Sequence, residues 1–315
     1  MLILMSKKIK IGYFADGPWA HRAFEKIIRD ETIEISFICV RYSKKDYVLQ
    51  ELGEKYKIDI LSPQNINSSD FIYQIKKYKV DLFVSMSYDQ IFKNELINLS
   101  PLKTINCHAG KLPYYRGRNI LNWVLINDEK EFGITVHYMD EGIDTGDIIL
   151  QKVYEITDED TYATLLERAY EGCAEILYDA IKVIQYGKVR AIKQDDVDKI
   201  GIYCGGRREG DEILDWNQTS RDVFNFVRAL CIPGPQALSF INGKPIKINK
   251  VKLVEGAHKY KGIPGQVIGK GKEGLYIKTQ DSMIELIEYS FEGNIKISDR
   301  LSNRLDQTRN TISNI

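Results

Sequence analysis

Residues 104–118 read TINCHAGKLPYYRGR, and two side chains among them have the chemistry of a reaction centre. Asn106 and His108 are two positions apart, so on an extended strand they share a face. An amide offers a hydrogen-bond donor to an oxygen on which negative charge develops. An imidazole, with an ordinary pKa of about 6.5, takes or passes a proton near neutrality. A core strand gains nothing from this pair, whereas a reaction centre does. As an isolated N-x-H the motif is weak. It is strengthened by the loop that follows, Gly110-Lys111-Leu112-Pro113, and by the guanidinium pair Arg116 and Arg118.

The other histidines lack such company. His137 lies in the alternating run ITVHYMD and reads as a packed or solvent-facing strand residue, while His21 and His258 read as surface residues. Downstream, the acidic loop DEGIDTGD holds Asp140, Asp144 and Asp147. By turn chemistry alone, Asp144 reads as a residue that caps its own turn. GYFADGPWAH follows the first strand but carries neither GxGxxG nor GK[ST], so it reads as a plain strand-to-helix turn.

These residues need a scaffold. KIKIGYF, EISFICVRY, VDLFVSMSY and KTINCH are short runs rich in Ile, Val, Phe and Tyr. Between them, HRAFEKIIRD, KDYVLQELGEKYK and SDFIYQIKKYK repeat apolar residues at helical spacing. This alternation predicts an α/β fold with a mostly parallel sheet covered on both faces. Ligands of such sheets bind beyond the carboxyl ends of the strands, where Asn106 and His108 fall. Two strands around the acidic loop follow, then a long helix closed by Gly187. GRREGDEILDWNQTSRDVFNFVRAL reads as a loop and a helix capped by Thr219 or Ser220. Beyond it, ALSFING, KPIKINKVKLV, GQVIG, GLYIKT and SMIELIEYS predict a smaller β-rich, barrel-like domain. The expected division is a catalytic domain over 1–200, then a linker helix and β-rich domain over 201–315. The apolar run MIELIEYSF suggests a homodimer surface.

Composition narrows the partners. The 315 residues carry 44 Lys+Arg against 44 Asp+Glu, which argues against a partner held mainly through nucleic-acid phosphates and leaves room for a local basic patch. Five scattered cysteines without CxxC spacing point to reduced thiols rather than disulfides or zinc. No spacing suggests a metal. The opening MLILMSKKIKIGYF is too short to span a membrane and lacks signal-peptide order, so a soluble, cytoplasmic protein without a membrane partner is expected.

Two segments together, INCHAGKLPYYRGRNILNWVLIND and GITVHYMDEGIDTGDIILQ, resemble the folate-dependent formyltransferase superfamily. The likeness continues through GRREGDEILDW and VRALCIPGPQALSFINGKPIKI. It is similar to methionyl-tRNA formyltransferases and, more closely, to nucleotide-sugar N-formyltransferases of the aminoarabinose and pseudaminic-acid pathways. The resemblance implies an N-terminal Rossmann-like formyltransferase domain. By motif position, its catalytic trio falls on Asn106, His108 and Asp144. It also implies N10-formyltetrahydrofolate as donor, a primary amine as acceptor, and a folate site near Ser87, Tyr88, Asp89, Gln90, Ile91 and Asp140. Tyr88 reads equally as a strand-end packing aromatic.

For the acceptor, the resemblance implies an NDP-amino sugar destined for surface glycan, with UDP favoured over dTDP by the region beyond residue 200. Arg207, Arg208 and Trp216 are the candidates for diphosphate and base, since guanidinium forks match phosphate oxygens and an indole stacks on a base. The alternative for the arginines is ordinary solvated surface, and for Trp216 linker packing. Tyr115, Arg116 and Asn122, beside the catalytic loop, are candidates for the sugar. The turn ADGPWAHRAFE after the first strand is compact, where the resemblance implies a longer basic loop for an enzyme acting on tRNA. Methionyl-tRNA formyl transfer, or folate or nucleotide binding without catalysis, are the competing readings.

Overall fold

The computed structural model describes residues 8–303. They form fifteen strands and eight helices in two compact units. The first takes the chain up to Ile120, Phe132–Tyr154 and Glu167–Cys204; the second takes Leu121–Glu131, Glu155–Leu166 and everything from Gly205 onward.

The first unit alternates strand and helix: β1 (Ile9–Ala15), α1 (Gly17–Ile27), β2 (Ile33–Cys39), α2 (Tyr47–Tyr56), β3 (Asp59–Leu61), α3 (Ser69–Lys76), β4 (Leu82–Met86), α4 (Asn94–Ile97) and β5 (Thr104–His108). The chain continues through β6 (Arg116–Gly117), α5 (Ile120–Ile126), β7 (Glu131–Tyr138), β8 (Ile148–Glu155), α6 (Tyr162–Gln185), α7 (Gln194–Val197) and β9 (Tyr203–Cys204). Seven strands make one sheet in the order β3-β2-β1-β4-β5-β7-β8. The first five are mutually parallel and β7 runs antiparallel to β5. This mostly parallel, Rossmann-like order reverses direction between β1 and β4, and ligand crevices form at such reversals.

Local chemistry sets the elements. β4 is buried along its whole length, as a strand covered on both faces must be. The Ser68 hydroxyl caps α3 by accepting from the Phe71 N–H, and Asp46 caps α2 through Leu49 N–H. Asp46 also accepts from Gly17 N–H at 2.7 Å and meets His21 Nε2 at 2.8 Å. One carboxylate thus serves the starts of two helices. Beneath the carboxyl ends of β1, β2 and β4, the rings of Phe14, Phe37 and Phe83 meet edge to face or tilted at 5.6–6.2 Å.

The second unit is built on α8 (Ser220–Leu230), β10 (Ala237–Ile241), β11 (Lys244–Leu253), β12 (Val267–Lys270), β13 (Leu275–Lys278), β14 (Met283–Phe291) and β15 (Leu301–Ser302). Its antiparallel sheet runs β12-β13-β14-β11-β10-β15. Backbone bonds tie residues beside β12 to residues beside β15, with Gln266 bridging Arg300, so the sheet curls until its edges meet. That is the barrel-like domain expected from the spacing of the short strands. The core holds Leu214, Trp216, Val223, Val227 and the inward residues of β10, β11 and β14. Ile284 and Leu286, from the run read as a dimer surface, are fully buried in this core, whereas Tyr289 on the other face of the same strand is 40% exposed. Among the described residues, no helix is long and apolar enough to cross a membrane.

Candidate active site

β5 and β7 put four polar side chains on one face of the sheet. In the antiparallel register Asn106 lies opposite His137, and His108 opposite Thr135. Directly opposed residues share a face, so the N-x-H of β5 meets a T-x-H of β7. The Thr135 hydroxyl donates to Gly110 O at 2.6 Å and accepts from Leu112 N–H and from Gln151 Nε2. It thereby pins the loop after His108. Gly110 is required there, because a Cβ would come within 2.5 Å of both the His108 ring and Tyr115 O.

The 139–147 loop brings Asp144 over this face. Its Oδ2 accepts from Gly117 N–H at 2.9 Å and lies 3.5 Å from His108 Nδ1. Its Oδ1 lies 3.4 Å from Asn106 Nδ2 and 3.5 Å from His137 Nε2. Burial pushes the carboxyl pKa up, but His108, His137 and the Gly117 N–H outweigh it and hold Asp144 well below the usual carboxylate range. Turn capping, the role that turn chemistry alone gives Asp144, falls to Asp140. Asp140 accepts from Gly142 N–H and the Thr145 hydroxyl, bonds that hold the loop.

Each histidine has one nitrogen fixed by a carbonyl. His108 Nε2 is 2.7 Å from Tyr115 O and must donate to it, which leaves Nδ1, facing Asp144, to accept a proton. His137 Nδ1 is 2.7 Å from Tyr138 O, and its Nε2 lies 3.3 Å from Asn106 Nδ2. Both contacts of the Asn106 amide are at the long end of the range. They orient the amide without saturating it.

Tyr115 and Asp144 adopt left-handed conformations, at φ 60° and 55°, which are uncommon outside glycine.

The structure brings Asn106, His108 and Asp144 together and adds His137, which the sequence reads as a packed or solvent-facing strand residue. Nothing local marks His137. The available signal is long-range, since T-x-H mirrors N-x-H only once β5 and β7 are paired. The residues expected to touch the acceptor fare differently. Tyr115 is 6% exposed and acts through its carbonyl; Arg116 is 5% exposed, its guanidinium bound to Gln194 and Tyr203. Asn122 is buried, donating to Ala229 O. Trp216 is buried in the C-terminal core with its indole N–H on Ser239. In this structure the side chains of Arg116, Asn122 and Trp216 are thus engaged within the protein, and Tyr115 is buried. Arg207 is half-buried, with its pKa lowered by burial although Glu212 and Asp211 oppose this; Arg208 is exposed.

On the expected folate loop, Ser87 O accepts from Arg41, and Tyr88 packs on Phe14 and Phe92. Asp89 lies near Arg41, and the Gln90 amide holds Ile66 N–H and Pro63 O. Ile91 is 68% exposed, and Ile143 on the acidic loop 56%.

Comparison with known proteins agrees with this architecture. Residues 31–181 match the formyl transferase family model, and residues 208–301 match the formyl transferase C-terminal domain. A methionyl-tRNA formyltransferase of Fusobacterium nucleatum is 34% identical over 284 residues, spanning 88% of this chain and 90% of the relative. One from Geotalea daltonii is 32% identical over 242 residues, 77% and 75% respectively. Among solved structures, a sugar 3N-formyltransferase with dTDP and 5-N-formyl-THF superposes with TM-score 0.67 at 24% identity, over 89% of this chain and 97% of that one. The N-formyltransferase of Helicobacter canadensis, with folinic acid and dTDP-3-aminofucose, gives 0.66 at 21%, over 89% and 98%. With both domain models matched in order and full-length relatives above 30% identity, this chain belongs to the formyl transferase family.

Proposed function

We propose that the protein moves a formyl group from N10-formyltetrahydrofolate to the primary amine of a nucleotide-linked aminodeoxysugar. The observation that carries the acceptor class is the β1–α1 connection. It is a single residue, Asp16, and the α1 N-terminus behind it is already capped by Asp46. Arg41 there faces both Asp16 and Asp89. At this turn the carboxylates of Asp16, Asp46 and Asp89 accompany Arg41 and Lys44, so a polyanion would meet a mixed surface with no long basic loop, whereas a nucleotide sugar asks only for a few cationic groups elsewhere. The ligands of the solved sugar formyltransferases support the same donor and acceptor classes.

The donor, when bound, supplies an electrophilic formyl carbon. Exposed Ile91 and Ile143, on the loops expected to hold it, suit the face of its ring system. Asn106 donates to the formyl oxygen as negative charge develops there; one such donor is worth about 100- to 1000-fold in rate. His108 takes the proton of the attacking amine at Nδ1, since Nε2–H is held by Tyr115 O, and would return it to N10 of the donor as the bond between the formyl carbon and N10 breaks and tetrahydrofolate leaves. Asp144, ionised throughout the neutral range, stabilises the imidazolium that results. His137 holds the Asn106 amide in place. A cytoplasmic setting fits the five unpaired cysteines.

The names of the sequence relatives favour a second reading, methionyl-tRNA as acceptor. Mass spectrometry after incubation with the donor and a panel of UDP- and dTDP-aminosugars decides between them. The expected result is one added formyl group on one sugar, lost in His108→Ala. Formylation of methionyl-tRNA, with every sugar left untouched, would replace the proposal with the second reading.

A further inference from the structure

Gln194 opens the short helix α7, far in sequence from the residues discussed above, and is 2% exposed. Its amide is fully used. Oε1 accepts from Arg116 Nε at 3.0 Å and Nη2 at 2.7 Å. Nε2 donates to Asp144 O and to Gly146 O, each at 2.8 Å. The Arg116 guanidinium draws charge from the Gln194 oxygen and so strengthens both donated bonds. Arg116 is itself held: Nη1 donates to the Tyr203 hydroxyl at 3.0 Å, and its main-chain N–H bonds Ile202 O at 2.8 Å. The next residue, Gly117, donates its N–H to the Asp144 carboxylate. Asp144 is therefore gripped at both ends by one two-residue strand, at its main chain through Gln194 and at its carboxylate through Gly117. Its left-handed backbone needs such a grip to persist.

We propose that Gln194, polarised by Arg116, is a positioning residue for Asp144: its two donated bonds set the distance from the Asp144 carboxylate to His108. This rests on the formyl-transfer reading of the same site. Small misplacements of a catalytic group cost up to about 100-fold in rate, so the effect falls on kcat.

Three variants test it: Gln194→Met, which removes all four bonds; Gln194→Glu, which keeps the pairing with Arg116 and removes the two donated bonds; and Asp144→Asn as reference. Both Gln194 variants are expected to lower kcat about 10- to 100-fold with the acceptor KM within about threefold of wild type. The Gly117 amide proton, downfield in wild type because it donates to a carboxylate, is expected to move upfield in both. Either Gln194 variant folding with wild-type kcat and an unmoved Gly117 resonance, while Asp144→Asn is inactive, overturns the positioning role and leaves the site reading intact. A lowered Tm with unchanged kcat per folded molecule overturns it equally. Wild-type turnover in Asp144→Asn overturns the reading of the site and this inference with it.

Discussion

Asp144 shows how one side chain acquires a role from its surroundings. Its carboxyl pKa is depressed, so the sign of its contribution is fixed: the ionised form stabilises the folded chain above the ordinary carboxylate pKa of about 3.9, and that stabilisation is lost as pH falls below it. Asp144→Asn is therefore expected to unfold more readily than wild type near pH 7, by about 1.5–3 kcal/mol for a charged acceptor lost from buried donors. The two should converge as the pH drops below 4. Urea midpoints measured from pH 7 down to pH 3 check this; a difference that stays constant across the range would show that the carboxylate is not held by its neighbours. Asn106 and His108 were legible because strand periodicity alone puts them together. His137 and Gln194 were not, since each matters through a partner 31 or 50 positions away. The burial of Tyr115 and Trp216 was not legible for a related reason: residue type says what a side chain offers, and only the packed structure says where it lies.

At the scale of elements, helix α8 shows a local signal read correctly to within one residue. Thr219 is its cap: the hydroxyl accepts from Asp222 N–H, while the Asp222 carboxylate accepts from Thr219 N–H, a complete capping box. Ser220, the other candidate, instead spends its hydroxyl on Thr279 and Asp281 of the β13–β14 turn. Thr219→Ala is expected to cost about 1 kcal/mol, read as a lower urea midpoint with unchanged slope. No measurable shift would mean that Asp222 alone satisfies the helix start. The parallel strands were equally legible, because hydrophobic runs alternating with amphipathic helices allow few other arrangements. The reversal of β7 was not, since strand direction depends on the return path of the chain. Nor was the closure of the C-terminal sheet through Gln266 and Arg300, a pairing 34 positions apart.

For the whole molecule the open quantity is the acceptor, and its physics is separable by salt. The chain carries equal numbers of acidic and basic residues, and its β1–α1 turn is mixed in charge, so affinity for a polyanion would have to come from a local surface such as the exposed lysines 244, 247 and 250 of β11. An RNA held by six to ten phosphate contacts would release condensed counterions and lose about 1,000- to 100,000-fold in affinity between 50 and 200 mM salt. A nucleotide sugar has only its diphosphate and no condensed counterion atmosphere, so ordinary screening applies and its KM should rise less than about tenfold over the same range. With donor saturating, the acceptor KM measured at those two salt concentrations gives the answer. A nearly flat response supports a small anionic acceptor. A rise of several hundredfold or more would mean that the acceptor is the RNA.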